Sequence, residues 1–310
     1  MGSTIEWPEG KRFAFTVFDD PDSQPLEDSR VVYSFLADLG FRTTKGVWVQ
    51  GPFRQGNSRS ETCDNPAYLQ HVLDLQRQGF EIGFHNASLH SSEREETRAA
   101  LEKFRQFFGE YPSAMSNHFS NAEAIYWGEA RLGGAARLLY QLASKDRGAN
   151  HYSGHVENSP YFWGDLCRDH VRFCRNFVFR DVNTLRICPE MPYYDPERPY
   201  VQQWYASSEG ADARLFQQTI SEENQDRLEK EQGACIVYTH FGKGFVEEGR
   251  PAARFRGLME RLSRKGGWFV PVSTLLQYLQ AKRGARILSP RERRRLERLW
   301  IWEKIRHGTS

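Results

Sequence analysis

The stretch FAFTVFDD, residues 13–20, is an apolar run that closes with two adjacent aspartates. Its composition predicts a buried β-strand, and Pro21 follows at once. Neighbouring carboxylates repel each other, and both charges are costly beside a core. A turn after the strand is one explanation for Asp19 and Asp20, because aspartate and proline favour turns. The remainder of the chain decides whether a functional explanation is better.

Strand-like and helical patterns alternate on either side of this stretch. Apolar runs at 43–49, 81–86, 113–118, 234–241 and 268–273 predict further strands. The clearest helix is predicted over 91–109, where Ser92 and Glu95 fit a capping box. Such alternation favours a parallel sheet, either a barrel or a doubly wound sheet, and both bind ligands at the C-terminal ends of strands. Residues 120–210, rich in aromatics and proline, show no clear pattern.

Chemically competent side chains occupy the C-terminal ends of four predicted strands. Asp19 and Asp20 end the first, and His85, His118 and His240 end later ones. A single histidine is more often a packing residue, but four such residues at one edge favour a site. Two histidines and one carboxylate hold a divalent metal with positions left for water and substrate. The other aspartate can accept a proton, and a histidine opposite can donate one.

Composition narrows the classes of partner. The 310 residues carry 42 Lys and Arg against 40 Asp and Glu, so a net charge of +2 argues against a nucleic-acid partner. Five scattered cysteines favour neither a disulfide framework nor a zinc finger. No signal-peptide pattern or run of transmembrane length is visible, which predicts a cytoplasmic protein. The basic run 291–306 predicts a solvated helix, with peripheral membrane or protein contact as the minority interpretation.

With these motifs in order, the chain resembles the polysaccharide deacetylase family, carbohydrate esterase family four. The resemblance rests on FDD at the first strand end, EIGFH, a late IVYTH strand and a closing GWFVPVSTLL, and it spans about residues 13–280. It implies a distorted (β/α) barrel of about seven parallel strands over 1–285, followed by a basic C-terminal helix over 286–310. It also implies Asp19 as general base, Asp20 and His85 as metal ligands, and His240 as general acid.

The second histidine ligand is where the chain departs from the family pattern. That pattern is H-[ST]-x-x-H, whereas FHNASLH has Leu89 at the expected position and His90 one residue later. On a helix, five residues would turn the two imidazoles roughly 140° apart, so His90 requires an irregular loop. We expect His90 as the third ligand, with His118 as its substitute. The family's R-x-P-Y motif is missing, and His118 stands near that place, where it could bind substrate, bind metal or pack.

Residues 155–205 resemble a substrate-facing elaboration. Flat aromatic rings suit sugar faces and arginines suit phosphate, so we expect Trp163, Arg180 and Trp204, together with His118, to contact substrate. The alternative is a proline-stiffened loop that packs its own aromatics. We also expect Asp165 to orient His240 as its carboxylate partner.

The resemblance therefore implies a hydrolase with one divalent ion, most simply zinc, that removes an N-acetyl or similar acyl group from an amino sugar. Without an export signal, that sugar is expected to be nucleotide-linked, lipid-linked or free. Two alternatives remain: hydrolysis of a non-sugar amide on the same fold, and a catalytically inactive carbohydrate-binding relative. The sequence does not indicate an oligomeric state.

Overall fold

The computed structural model describes residues 5–51, 59–143 and 152–308 of the chain. The strands are β1 (Ala14–Asp19), β2 (Thr44–Val47), β3 (Glu81–Phe84), β4 (Ala114–Met115), β5 (Phe173–Phe179), β6 (Tyr193–Tyr194), β7 (Gln203–Ser208), β8 (Ala234–Thr239), β9 (Val246–Glu247), β10 (Arg250–Pro251), β11 (Trp268–Phe269) and β12 (Arg286–Ile287).

Helices alternate with these strands along most of the chain. They are α1 (Leu26–Asp38), α2 (Pro66–Arg77), α3 (Arg94–Phe108), α4 (Gly134–Ala143), α5 (Gly164–His170), α6 (Thr184–Ile187), α7 (Ala213–Thr219), α8 (Glu222–Lys230), α9 (Ala253–Ser263), α10 (Val272–Arg283) and α11 (Pro290–His307). Two short 3-10 helices, Pro8–Gly10 and Gly128–Arg131, complete the described elements.

Seven strands close into a parallel barrel. Neighbouring strands follow the order β1, β2, β3, β4, β5, β7 and β8, and β8 pairs with β1 to complete the circuit. All seven pairings within that circuit are parallel. The predicted (β/α) barrel is confirmed. Its distortion comes from the two-residue strand β4 and from a register shift in β5 between Arg175 and Val178.

Burial explains why these segments become strands and helices. Every residue of β1, β5 and β8 is buried, as expected for parallel strands covered on both faces. Helix α3 buries Ala100, Leu101, Phe104 and Phe108, which lie on one face at helical spacing. Its capping box is Glu93 with Glu96, one residue beyond the predicted pair, because the helix begins at Arg94.

The predicted basic C-terminal helix is present as α11 and packs on the barrel. Its Leu296, Trp300 and Ile301 are buried, while the helix contacts α4 and β5. Its arginines partly point to solvent, and Arg295 forms an ion pair with Glu190. Among the described residues, no helix is both long and apolar enough to cross a membrane.

Candidate metal and catalytic site

Polar side chains from four barrel strands meet at one end of the barrel. Asp19 ends β1, His85 follows β3, His118 lies in the loop after β4, and His240 follows β8. Parallel strands bring their carboxyl ends to the same mouth, so these distant sequence positions become neighbours. Asp22, in the loop after β1, joins them.

Three of these residues form a group that could hold a metal ion. The ligand atoms of Asp22, His85 and His118 all lie within 4.8 Å of one another. His118 Nε2 lies 3.1 Å from Asp22 Oδ1, and His85 Nε2 lies 3.4 Å from Asp22 Oδ2. Burial raises the pKa of the Asp22 carboxyl, but the two imidazoles outweigh burial and hold that pKa well below its usual range. Asp22 is therefore ionised at neutral pH.

The tautomer of His118 makes the group a good fit for a cation. Asn121 donates its amide hydrogens to the Ser88 and His90 carbonyls, so its Oδ1 faces His118 Nδ1 at 2.8 Å. That oxygen can only accept, hence Nδ1 carries the hydrogen. In neutral His118 the lone pair of Nε2 would face a carboxylate oxygen at 3.1 Å, which is repulsive unless a proton or a metal ion lies between them.

Hydrogen bonding at Nδ1 also fixes the tautomer of His85. Its Nδ1 lies 2.7 Å from Ser116 Oγ, and that hydroxyl donates to Asp20 Oδ1 at 2.8 Å. A hydroxyl that donates to Asp20 accepts from Nδ1–H, which leaves Nε2 as an unprotonated ligand atom. His85 Nε2 and Asp22 Oδ2 are buried without a hydrogen-bond partner among the described residues. Orphaned acceptors of this kind are expected at a metal site.

Asp20, expected as a metal ligand, instead pairs with an arginine. Arg175 donates to both carboxylate oxygens, at 3.0 and 2.5 Å, in a fork arrangement. Burial raises the pKa of Asp20, but the Arg175 guanidinium outweighs it, and the pKa falls below its usual value. Asp20 still lines the cavity described below. The geometry therefore favours Asp22 over Asp20 as the carboxylate ligand.

Asp19, expected as the general base, is held away from the cavity. Its carboxylate contacts Lys45 Nζ at 3.4 Å and accepts hydrogen bonds from Tyr33 at 3.0 Å and from the Phe241 amide at 2.8 Å. Burial raises the pKa of Asp19 despite these partners, and burial also lowers the pKa of Lys45. Asp19 has no exposed surface and does not line the cavity, so this structure does not support its role as base.

His240 faces the cavity from the end of β8, the neighbour of β1. Its Nδ1 donates to the Ala211 carbonyl at 2.6 Å, which directs Nε2 towards Asp22 Oδ2 at 3.6 Å. Burial lowers the pKa of His240, although Asp22 and Asp20 act in the opposite direction. Asp165 is not its partner. Asp165 lies on α5 and forms a bidentate ion pair with Arg94, with both contacts at 2.7 Å, so the predicted pairing is wrong.

His90 does not join the metal-competent group within the described residues. It lies in the irregular loop that the sequence required, and its carbonyl accepts hydrogen bonds from Ser88 and Asn121. The same Asn121 orients His118, so the loop that carries His90 supports the group through its backbone. The geometry therefore selects the substitute, His118, over His90.

A cavity of about 690 Å³ opens from the Asp–His group. Two of the aromatics expected to contact substrate do not line it, because Trp163 and Trp204 are buried in the core with 0% and 1% exposure. Trp163 donates to the Glu123 carbonyl at 2.6 Å. Arg180 is exposed and also lies outside the lining. Other aromatic residues form the wall: Phe119, Trp127, Tyr140, Tyr152, Tyr238 and Trp300.

Three important residues escaped the sequence analysis. Asp22 directly follows Pro21, three residues after the end of β1. Its only signal in the sequence is that it is the third aspartate of the run DDPD. Ser116 and Arg175 gave no signal, since a serine or arginine within a strand-like segment is common. Arg175 stands in β5 and reaches Asp20 across the barrel interior, a relation that depends on closure of the sheet.

Comparisons with known proteins bear on the fold. No family model and no curated protein matches the chain. Among solved structures, one described as a candidate polysaccharide deacetylase from Mycobacterium smegmatis is 12% identical, with a TM-score of 0.52 over 93% of this chain and 97% of that one. The chain has the polysaccharide deacetylase fold. A structure of Puue allantoinase is 13% identical, with a TM-score of 0.50 over 91% of this chain and 96% of that one. The two are named for different activities, so the fold by itself does not select a substrate.

Proposed function

We propose that the chain is a metal-dependent amide hydrolase that removes an acyl group from an amino sugar. The observation that carries this proposal is the arrangement of Asp22, His85 and His118, whose acceptor atoms face one another at 3.1–3.4 Å. Two imidazoles and a carboxylate suit zinc and other divalent ions and leave positions open for water and substrate. A divalent ion held there would lower the pKa of a water and polarise an acyl carbonyl.

The residues around the ion can move the protons of amide hydrolysis. Asp20 is ionised, lines the cavity and is fixed by Arg175 and Ser116, so we assign it as the base that takes a proton from the attacking water. The water oxygen bonds to the acyl carbon, and the carbon–nitrogen bond then breaks. His240 presents Nε2 to the cavity from the end of β8. We assign its imidazolium form as the acid that protonates the leaving amine, because Nδ1 donates to Ala211 and only the imidazolium carries a second hydrogen on Nε2.

An N-acetylated amino sugar is the substrate class that this proposal favours. Aromatic rings line the cavity, and flat rings stack on sugar faces. A non-sugar amide is the second candidate, favoured by the shared fold with a protein named allantoinase. Three details stay predictions from the sequence. They are zinc as the bound metal, acetyl as the acyl group, and a cytoplasmic sugar that is nucleotide-linked, lipid-linked or free.

The proposal is tested by metal content together with acyl release. Protein stripped with a chelator and reloaded with zinc or cobalt is expected to bind about one ion per chain, and to release acetate from at least one member of a panel of N-acetylated sugars. A loaded protein that releases acetate from neither the sugars nor acyclic N-acetyl amides would contradict the proposed activity. Binding of a sugar by metal-free protein alone would favour the inactive binding relative.

The two histidines that the sequence left open provide a matched pair of variants. His118→Ala removes an imidazole from the group and is expected to reduce metal affinity at least tenfold, since about one third of the ligand set is lost. His90→Ala is expected to retain the ion, because the His90 imidazole is not part of the group formed by Asp22, His85 and His118. Equilibrium dialysis with zinc checks both. Loss of the ion from His90→Ala but not from His118→Ala would overturn the ligand assignment.

A further inference from the structure

Arg131 is a buried cation without an anionic partner. It ends the 3-10 helix Gly128–Arg131, and its side chain is only 2% exposed. Within the described ranges its Nε and Nη2 atoms are buried without hydrogen-bond partners, and no carboxylate is among the groups that act on its pKa. Burying an unpaired charge is costly, so such groups usually have a partner in the functional state.

Aromatic rings hold this guanidinium by its faces. Its central carbon lies 3.3 Å from the ring centre of Trp127 and 5.1 Å from that of Trp300. Stacking satisfies the flat faces of a guanidinium and leaves its N–H groups at the edge, where they match two oxygens of a carboxylate or phosphate. Burial lowers the pKa of Arg131 to about 9, which leaves it charged at neutral pH.

Arg131 lines the same cavity as the Asp–His group. Lys243 and Lys304 also line it, which adds positive charge to the walls. Glu129 is a carboxylate in that lining, but it accepts contacts from Arg137 and Gln141 at 2.6 Å each. Asp20 and Asp22 also line the cavity, but they are paired with Arg175 and the imidazoles. The Arg131 region therefore offers unsatisfied donors and positive charge to a ligand.

We propose that Arg131 binds an oxyanion group, phosphate or carboxylate, carried by the substrate. The aromatic walls would hold the body of the ligand while its acyl-amino group reaches the Asp–His group. The assignment of that ligand as a substrate rests on the proposed function, whereas the binding of the anion does not. This places the substrate among anionic amino sugars rather than among neutral polymers.

Three matched probes test the proposal on the full chain in the presence of a chelator, so that no anion binds through a metal. They are N-acetylglucosamine, its 1-phosphate and N-acetylmuramic acid, and binding is followed by calorimetry. One charged probe is expected to bind at least about tenfold more tightly than the neutral sugar, the usual worth of a charge-assisted hydrogen bond. The phosphate and the carboxylate arms show which oxyanion is preferred. Equal binding of all three probes would overturn the proposal.

Arg131→Met should abolish the advantage of the charged probe, and the variant should melt no lower than wild type, because it removes a buried unpaired charge. Arg172→Met is the matched control, since Arg172 stacks on Phe173 at 5.0 Å outside the cavity lining and should keep the advantage.

If Arg131→Met does not fold, Arg131→Lys decides, because it keeps the charge but loses the forked donor pair and should weaken binding of the charged probe several-fold. An unchanged advantage in whichever variant folds would overturn the role of Arg131. Charged binding without acetate release would leave this inference standing and count against the proposed activity.

Discussion

Asp19 and Asp20 are adjacent in the chain, yet each carboxylate has its own buried cation. Asp19 contacts Lys45 and Asp20 contacts Arg175, because successive positions at a strand end point to opposite sides. Each of these cations stabilises one carboxylate, which offsets the repulsion between Asp19 and Asp20. One aspartate therefore supports the barrel wall, while the other faces the cavity.

This division of roles predicts different consequences for two isosteric variants. Asp20→Asn removes a proton acceptor that lines the cavity, so we expect the ion to remain bound and kcat per folded molecule to fall by roughly 10²–10⁴-fold. It also leaves Arg175 buried without its carboxylate, so its free energy of unfolding is expected to fall as much as that of Asp19→Asn, and kcat is the value that separates the two variants. Asp19→Asn leaves Lys45 buried without its carboxylate, so we expect the free energy of unfolding to fall by about 3–5 kcal/mol. Acetate-release kinetics and urea unfolding of both variants check this. A stable Asp19→Asn protein with the larger loss of kcat would restore Asp19 as the base.

At this scale the sequence predicted the positions of His85, His118 and His240 at one barrel mouth, because each ends a readable strand. It did not predict which atoms approach each other. The choice of Asp22 depends on how the chain turns at Asp22 and Ser23 after β1, and the choice of His118 depends on the amide orientation of Asn121. Neither relation leaves a periodic signal in the sequence.

Among the elements, the packing of β3 against β1 depends on a glycine. A Cβ added to Gly83 would lie 2.7 Å from Phe18 Cζ and 3.0 Å from Thr44 Cγ2. Phe18 is fully buried, so its ring has little room to move. Gly83 therefore permits the strand that precedes His85 to approach its neighbours closely.

A pair of glycine variants tests this packing. Gly83→Ala is expected to lower the free energy of unfolding by about 1–3 kcal/mol, the usual cost of overpacking a core. Gly257→Ala, in the exposed face of α9 with open space around its Cβ position, is expected to raise it by about 0.5–1 kcal/mol. Urea unfolding monitored by tryptophan fluorescence provides both values. Equal effects of the two substitutions would show that the contact with Phe18 does not limit packing.

Elements with a full period could be predicted from the sequence, whereas short ones could not. Helix α3 and strand β8 each repeat their pattern over enough residues to be recognised. Strands β4 and β6 contain two residues each, and α6 contains four, so neither a period of 2 nor one of 3.6 can emerge. Much of the cavity wall comes from residues 120–210, which show no clear pattern in the sequence. The expected substrate contacts Trp163 and Trp204 lie in the same segment, and they proved to be core residues.

For the molecule as a whole, Glu123 makes stability depend on pH. It is fully buried, accepts hydrogen bonds from the Ser92 amide and the Asn121 side chain, and burial raises its pKa from 4.5 to about 7. A raised pKa means that the folded state holds this proton more tightly than the unfolded state does. The stabilisation is complete below about pH 4.5 and is lost as the pH rises through about 7.

We therefore expect the free energy of unfolding to decrease between pH 5 and 8, with Glu123 supplying up to about 3 kcal/mol of that decrease. Glu123→Gln is less stable at low pH, because an amide replaces one acceptor, but its stability should depend less on pH. Urea unfolding at pH 5 and pH 8 measures both slopes. Parallel slopes for wild type and variant would show that Glu123 does not titrate in this range.

Closure of the barrel also sets an order of events during protein synthesis. The Phe241 amide that donates to Asp19 lies 222 residues further along the chain. The longest pairing of β1 is with β8. At 5–20 residues per second, roughly 10–40 s separate the emergence of β1 from that of β8 at the ribosome. During that interval the nascent first strand has a free edge, so we expect it to be open to non-native strand pairing until β8 arrives.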